Sequence, residues 1–296
     1  MHDTRRDFLR SAALAAAFSA SAPAGQQIQV PKMKFGEAEI SRLIAGCNPF
    51  YGFGHFNSIL SAVMREYYTA ERVCEVLHRC NGFGINAHNL VLLGRAQQDF
   101  ERFQSEGGRM HLIVQGIGDP AATYRAVRPL AIYHHGEYTD RAWLNGEMKI
   151  VREWCRKARD LGVMVGVGSH RPETLAQVEE EGWDVDFYAG CVYNRARTTE
   201  EWKRVLNNEL LEMPGEIYLR SDPPRMYRFM RQTAKPCFAF KIMAAGRIDD
   251  RGAEQAFRTA FESIKPIDGV FIGLFPRVKD EVRENAERVQ RILTRG

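Results

Sequence analysis

The chain has 296 residues, 45% of them apolar and 26% charged, with a formal net charge of +4. That length suits one large α/β domain or two small ones. The charge is mild and basic side chains alternate with acidic ones, as over 151–160 and 279–295, so nucleic acid is not an expected partner.

The N-terminus reads Thr4-Arg5-Arg6-Asp7-Phe8-Leu9-Arg10, then an alanine-rich apolar run over 12–20 and Ala22-Pro23-Ala24. A basic start, a short apolar stretch and a small-x-small cleavage site are the three parts of a secretory signal. Paired arginines followed by Phe-Leu match the twin-arginine type, which passes folded proteins to its export machinery. Residues 1–24 are therefore expected to be a signal peptide and 25–296 a single catalytic domain, periplasmic or extracellular. The apolar run is shorter than the roughly 20 residues of a membrane span, and no later segment approaches that length. Without the signal, 38 basic residues face 35 acidic ones, a net +3.

From there, short apolar runs alternate with amphipathic ones. The runs 42–47, 84–88, 111–116, 130–135, 163–168, 185–193, 237–242 and 269–274 read as strands. Helical patterns cover 70–79, 93–104, 121–127, 149–161, 172–181, 223–233, 253–264 and 279–293; Pro223-Pro224 after Ser221-Asp222 is a helix-start signal. Eight near-continuous apolar strands, each leading to a helix, predict a closed parallel (β/α)8 (TIM) barrel, with an open doubly wound sheet as the competitor. No G-x-G-x-x-G follows the first strand, which weakens the dinucleotide-binding form of that competitor. The long stretch 195–220 is expected to carry an extra helix over 200–211, covering the barrel mouth. Six cysteines (Cys47, Cys74, Cys80, Cys155, Cys191, Cys237) include no C-x-x-C and suggest no disulfide framework.

In such a barrel the active site gathers at the carboxyl ends of the strands. Five of eight histidines fall there: His55, His88, His134, His135 and His170. Glu137, Tyr193, Asn194, Lys241 and Arg247 lie at the same end. Adjacent strand residues face opposite sides, so at most one of His134 and His135 enters the barrel. An ammonium in an apolar strand is costly without a partner, which makes Lys241 a candidate to polarise a carbonyl or form a Schiff base. The expected catalytic set is His134, His170 and Lys241. Asn48, Tyr51, His55, Tyr193, Asn194 and Arg247 are the expected substrate contacts, with Phe50, Phe53 and Phe56 available to stack on a sugar ring. His88, His135 and Glu137 are the candidate ligands of a divalent metal with an open position for water.

Short blocks of the chain resemble the aldo/keto reductase barrel family: Gly84-Ile85-Asn86, Leu130 to His135, Gly166 to His170, and Ile272-Gly273 with Glu281 to Asn285. The resemblance implies a catalytic histidine at His134 and an NADP site at the last loop and helix. The chain departs from the family's pattern elsewhere. Asn89 and Gly94 stand for its Asp and Tyr, Gln115-Gly116 for its Lys, His170 for its nicotinamide-binding Asn, and Phe275-Pro276 for its phosphate-binding Lys-Ser. Only Arg277, Lys279 and Asn285 remain as NADP contacts. The expectation is thus an exported, divergent barrel enzyme doing non-redox acid/base chemistry, metal-assisted or not. It would be an isomerase, lyase or hydrolase of a small carbonyl or sugar-derived compound. The alternatives are an NADP-dependent oxidoreductase with a tightly bound cofactor and a non-catalytic periplasmic ligand-binding protein.

Overall fold

Gly36 adopts a left-handed backbone (φ +59°) between two four-residue strands, β1 (Lys32–Phe35) and β2 (Ala38–Ser41), and so closes an antiparallel hairpin. The computed structural model describes residues 27–207 and 216–294. The expected signal segment, 1–24, and the last four residues of the expected 200–211 helix lie outside these residues. The hairpin pushes Phe35 into the barrel interior, where its ring meets Phe187 and Phe238 edge-on at 5.2 and 5.1 Å. Its alternating Met-Lys-Phe and Ala-Glu-Ile pattern around a glycine was a readable signal, although the sequence reading begins the strands only at 42.

The remaining strands are β3 (Leu43–Gly46), β4 (Ala87–Val91), β5 (His111–Gly116), β6 (Ala131–His134), β7 (Met164–Ser169), β8 (Phe187–Cys191), β9 (Cys237–Phe240) and β10 (Gly269–Gly273). All pair in parallel and close in the order β10-β3-β4-β5-β6-β7-β8-β9, so the fold is the expected (β/α)8 barrel. Inward residues Ile44, Ala87, Ile113, Ala131, Phe187, Ala189, Phe238 and Phe271 fill its lower half together with the hairpin.

Helices follow the strands: α1 (Ser58–Tyr67), α2 (Ala70–Gly82), α3 (Ala96–Ser105), α4 (Pro120–Val127), α5 (Gly136–Leu144), α6 (Met148–Arg159), α7 (Pro172–Glu180), α8 (Thr199–Val205), α9 (Pro223–Gln232), α10 (Asp250–Ser263) and α11 (Glu281–Thr294). Two of them, α1 and α5, are additional to the sequence reading. The expected strand 84–88 moves to Ala87–Val91 for a local reason. Gly84 is left-handed (φ +75°) and Ile85 N–H bonds back to Cys80 O, so these residues finish α2 instead of starting a strand. All six cysteines are buried and unpaired.

Candidate active site

Strand alternation decides which polar groups reach the barrel mouth. Asn89 on β4, Gln115 on β5 and Tyr133 on β6 point inward and line a cavity of about 450 Å³. Its inner chamber also has Asn48, His55, Phe240 and Lys241; an outer arm runs to Asp249, Asp250, Lys279, Glu281, Asn285 and Arg288. The floor is neutral and internally bonded. Gln115 Nε2 donates to Asn89 Oδ1 at 3.2 Å, and Asn89 Nδ2 donates to the Tyr133 hydroxyl oxygen at 3.0 Å. Burial raises the Tyr133 pKa well above its ordinary value, so the phenol stays protonated. Its contact to Asn89 Oδ1 is long, 3.4 Å, which leaves the hydroxyl hydrogen available to a molecule in the cavity.

Lys241 follows directly on β9 in a left-handed conformation (φ +63°). Among the described residues its amine has no ion-pair or hydrogen-bond partner, and it borders the chamber above the amide floor. Burial, reinforced by the Arg195 charge, brings its pKa down to about 7. The nearby turn is strained as well: His55, Ala244 and Ala245, like Lys241, are non-glycine residues at positive φ. Four of the six such residues described thus sit on the two loops bordering the chamber, where strain is commonly stored at functional sites.

A charged rim surrounds this floor. Asp140 on α5 accepts from the His170 backbone N–H at 3.0 Å, from His170 Nδ1 at 2.7 Å and from the Ser169 hydroxyl. Gly136 permits this approach, since a Cβ there would meet His170 Cε1 and Ser169 N at 3.3 Å. His170 Nε2 in turn accepts from Arg195 Nη1 at 3.1 Å, so both ring nitrogens are engaged and the imidazole is neutral. Burial outweighs Asp140 and lowers its pKa. Arg195 also pairs with Glu216, whose carboxylate accepts from His55 Nδ1 at 2.7 Å and from the Tyr218 hydroxyl at 2.5 Å. His55 Nε2 accepts from Asn48 Nδ2 at 3.2 Å. Burial, then the Lys241 charge, holds the His55 pKa down to about 2. Arg247 ties the loops together by donating to His55 O and Glu216 O at 3.0 and 2.9 Å.

The geometry corrects several expected roles. His134 faces away from the chamber: its Nδ1 donates to Thr139 Oγ1 at 2.7 Å and its ring packs edge-on against Trp154 of α6. His88 also points outward, with Nδ1 donating to Ala45 O at 2.8 Å between Phe50 and Phe100, because the strand begins three residues later than expected. His135 caps α5 by accepting from Glu137 N–H, and the Glu137 side chain is exposed. His88, His135 and Glu137 therefore do not converge, and among the described residues no group of three such donors could hold a metal ion. His170 is a rim residue bonded on both sides and does not line the cavity. Tyr51 packs on Phe50 and under Arg95, away from the chamber. Tyr193 packs edge-on against Tyr218, and Asn194 is spent on loop contacts to Ala196 and Asp222. Asn48, His55, Lys241 and the stacking candidate Phe53 are the expected residues that do line the cavity, and Arg247 braces it; Phe50 and Phe56 do not line it.

In the outer arm, Lys279 and Asn285 are present but Arg277 is exposed outside the cavity. Lys279 is held by Asp250 and Glu284, and Arg288 by Glu284, while Asp249, Asp250 and Glu281 present carboxylates to the same space. A nucleotide phosphate would meet more negative than unpaired positive charge there, so the donor set does not fit NADP.

Residues not anticipated from sequence are Asp140, Arg195, Glu216, Tyr218, Asn89, Gln115 and Tyr133 as members of this site. For Tyr133, Gln115 and Asn89 the signal was alternation once the strand frame is right; for Asp140 it was an unread helix.

Comparison with known proteins bears on the fold. No protein-family model matches the chain, and no curated protein matches it in sequence. Its structure is similar to a truncated form of 3-deoxy-D-arabino-heptulosonate 7-phosphate synthase from Thermotoga maritima. The TM-score is 0.53 at 12% identity, over 90% of this chain and 92% of that one. It also matches the apo form of Gox0644 (TM-score 0.48, 11% identity, 89% of this chain and 93% of that one). The closed parallel sheet and the first of these likenesses define the class as the (β/α)8 barrel; at such identity the likeness concerns architecture.

Proposed function

We propose that this chain is an exported barrel enzyme of the non-redox kind, a lyase or isomerase acting on a small carbonyl or sugar-derived compound through an imine on Lys241. The observation that carries the reading is the unpaired Lys241 amine facing a neutral, hydrogen-bonding chamber of substrate size. With its pKa about 7, a large share of the amine is unprotonated and nucleophilic near neutral pH. It adds to the carbonyl carbon. The oxygen, hydrogen-bonded by the Tyr133 hydroxyl, is protonated and departs as water, and the iminium carries the positive charge. That cation draws electrons from the adjacent C–H or C–C bond: either the C–H proton passes to a solvent water in the chamber, or a carbon fragment departs as a carbonyl compound whose hydroxyl proton passes to that water, and an enamine remains. Protonation and hydrolysis then return product and free Lys241. Asn89 and Gln115 orient the phenol, and Asn48 with His55 forms the facing wall.

Export rests on Arg5-Arg6-Asp7-Phe8-Leu9 and the alanine-rich run. Freely exchanging NADPH is not expected outside the cytoplasm, and the acidic outer arm speaks the same way against the reductase alternative. The relation to aldo/keto reductases is proposed as one of scaffold, with the charged Asp and Lys of that family replaced by the hydrogen-bonded amides Asn89 and Gln115.

The test is borohydride trapping of purified protein with a panel of small aldehydes and ketones, read by peptide mass. A reduced adduct on Lys241, absent from Lys241→Met, supports the reading. No adduct with any carbonyl, or one that persists in Lys241→Met, overturns it. Tight NADPH binding seen as fluorescence quenching would favour the oxidoreductase instead. Ligand binding that survives Lys241→Met without turnover would favour a binding protein.

A further inference from the structure

We infer that the carbonyl compound taken at Lys241 bears a carboxylate, as a 2-oxo acid does, and that this group docks at Arg195 in the place now held by Glu216. The inference rests on the imine reading and adds the substrate class to it.

The first observation is the arrangement around Glu216. Donors from two mouth loops converge on one carboxylate: His55 after β3, and Arg195 and Tyr218 from the long β8–β9 connection that also carries Glu216. Arg247, after β9, fixes the backbone on both sides of the contact. Such a constellation recognises a carboxylate whatever molecule carries it.

A second observation is that Glu216 fills the constellation incompletely. Arg195 offers a side-on edge of Nε and Nη2, which suits two parallel bonds to a carboxylate. Glu216 takes Nη2, whereas Nε is buried with no partner among the described residues. A buried N–H left unmatched is uncommon and calls for a ligand or a water. The opposite side of the guanidinium is already positioned, because Nη1 is held by His170 Nε2 and that ring by Asp140. Asp140, His170 and Arg195 thus form a braced arm presenting one unfilled edge.

Charge count agrees. Arg195 and Arg247 both bond Glu216, through its carboxylate and its carbonyl, and both charges disfavour the protonated Lys241 amine. Glu216 is the carboxylate bonded among them; Asp140 is turned to His170 and Glu137 lies exposed on α5. An anionic substrate can take the place of Glu216 among these cations with no loss of counter-charge, and an uncharged one cannot. Exchange of one carboxylate for another needs no new charge to be buried, and Glu216 would swing out with its loop contact to Arg195 released.

The experiment compares pyruvate with hydroxyacetone, an uncharged ketone of similar size, in borohydride trapping of the full chain at equal concentrations. Wild-type protein is expected to be trapped on Lys241 about tenfold or more faster by pyruvate. Arg195→Gln should bring the two ketones to within about twofold while still trapping hydroxyacetone, and Glu216→Gln should speed trapping by pyruvate selectively. Equal trapping of both ketones in the wild type overturns this inference and leaves the imine reading standing. Adducts from neither ketone, with adducts from other carbonyls, again remove only the carboxylate; adducts from no carbonyl at all remove both. Should Arg195→Gln fail to fold, the wild-type comparison and Glu216→Gln decide the matter.

Discussion

The floor and the rim of the barrel mouth are built on opposite electrostatic plans. On the floor, Asn89, Gln115 and Tyr133 satisfy one another with neutral groups, and the single cation beside them, Lys241, is left without a counter-ion among the described residues. On the rim, Asp140, His170, Arg195, Glu216 and His55 form a continuous bonded series in which almost every charge is matched. The difference separates availability from position. A charge already paired has spent its interaction energy on holding a loop, whereas an unpaired amine of lowered pKa keeps its lone pair for chemistry. Histidines are the residues most often suspected of catalysis, yet here four of the five at this end are engaged in holding structure.

The largest effect should come from removing the unpaired charge. Lys241→Met is expected to abolish imine trapping, a loss of roughly a thousandfold or more, without lowering stability, because a half-buried amine with no partner among the described residues is replaced by an apolar chain of similar length. Mass spectrometry and thermal melts check the two halves. A strongly destabilised Lys241→Met would mean that the amine has a structural partner, and the contrast between floor and rim would fail.

The pH dependence follows from the same residue. Folded Lys241 loses its proton near about 7 and the unfolded residue near ~10.4. Trapping rates should therefore rise through about pH 7 and level off above it, close to tenfold per unit on the acid side. Between these two values the unfolded chain binds more protons, so stability from this group rises as pH goes from about 7 to about 10 and is lowest and constant below 7. Denaturant titrations at several pH values should show that slope in the wild type and lose it in Lys241→Met. Arg195→Gln removes the larger of the two arginine charges lowering this pKa, so its trapping profile should shift to higher pH.

On the rim the effect should fall on stability. Asp140→Ala leaves the His170 N–H, the His170 Nδ1–H and the Ser169 hydroxyl without their buried acceptor. A loss on the order of 3 kcal/mol is expected, read from denaturant melts, with Lys241 still trappable in the folded fraction. Should Asp140→Ala melt like the wild type, the rim would not be the brace described above.

The barrel was legible because its signals are periodic: eight apolar runs separated by amphipathic helices leave few other architectures. Lys241 was legible for a related reason, as a charge where the pattern demands an apolar residue. The rest was hidden by frame and by distance. A three-residue displacement at Gly84 put His88 at the wrong end of its strand, and adjacency in His134-His135 gave no hint of which ring turns inward. Asp140 lies 30 positions from His170, and Glu216 lies 161 from His55. Such pairings are made by loops whose course no local pattern encodes. Resemblance to a reductase pulled the choice toward His134, whose side the strand pleat then decided.

The smallest expected effect is at that histidine. His134 hydrogen-bonds Thr139 and rests on Trp154, behind the wall of the barrel, and burial holds its pKa down to about 4. It is neutral across the physiological range and has no path to the chamber. Thr139 keeps a second bond, from its hydroxyl to His135 O at 3.2 Å, so no buried group is stranded when the ring is lost. His134→Leu should then cost only about 1 kcal/mol, the net worth of one hydrogen bond with packing retained, and leave the rate and pH profile of Lys241 trapping unchanged within about twofold. A tenfold fall in trapping with normal stability would return His134 to the chemistry and reverse the assignment of its side of the strand.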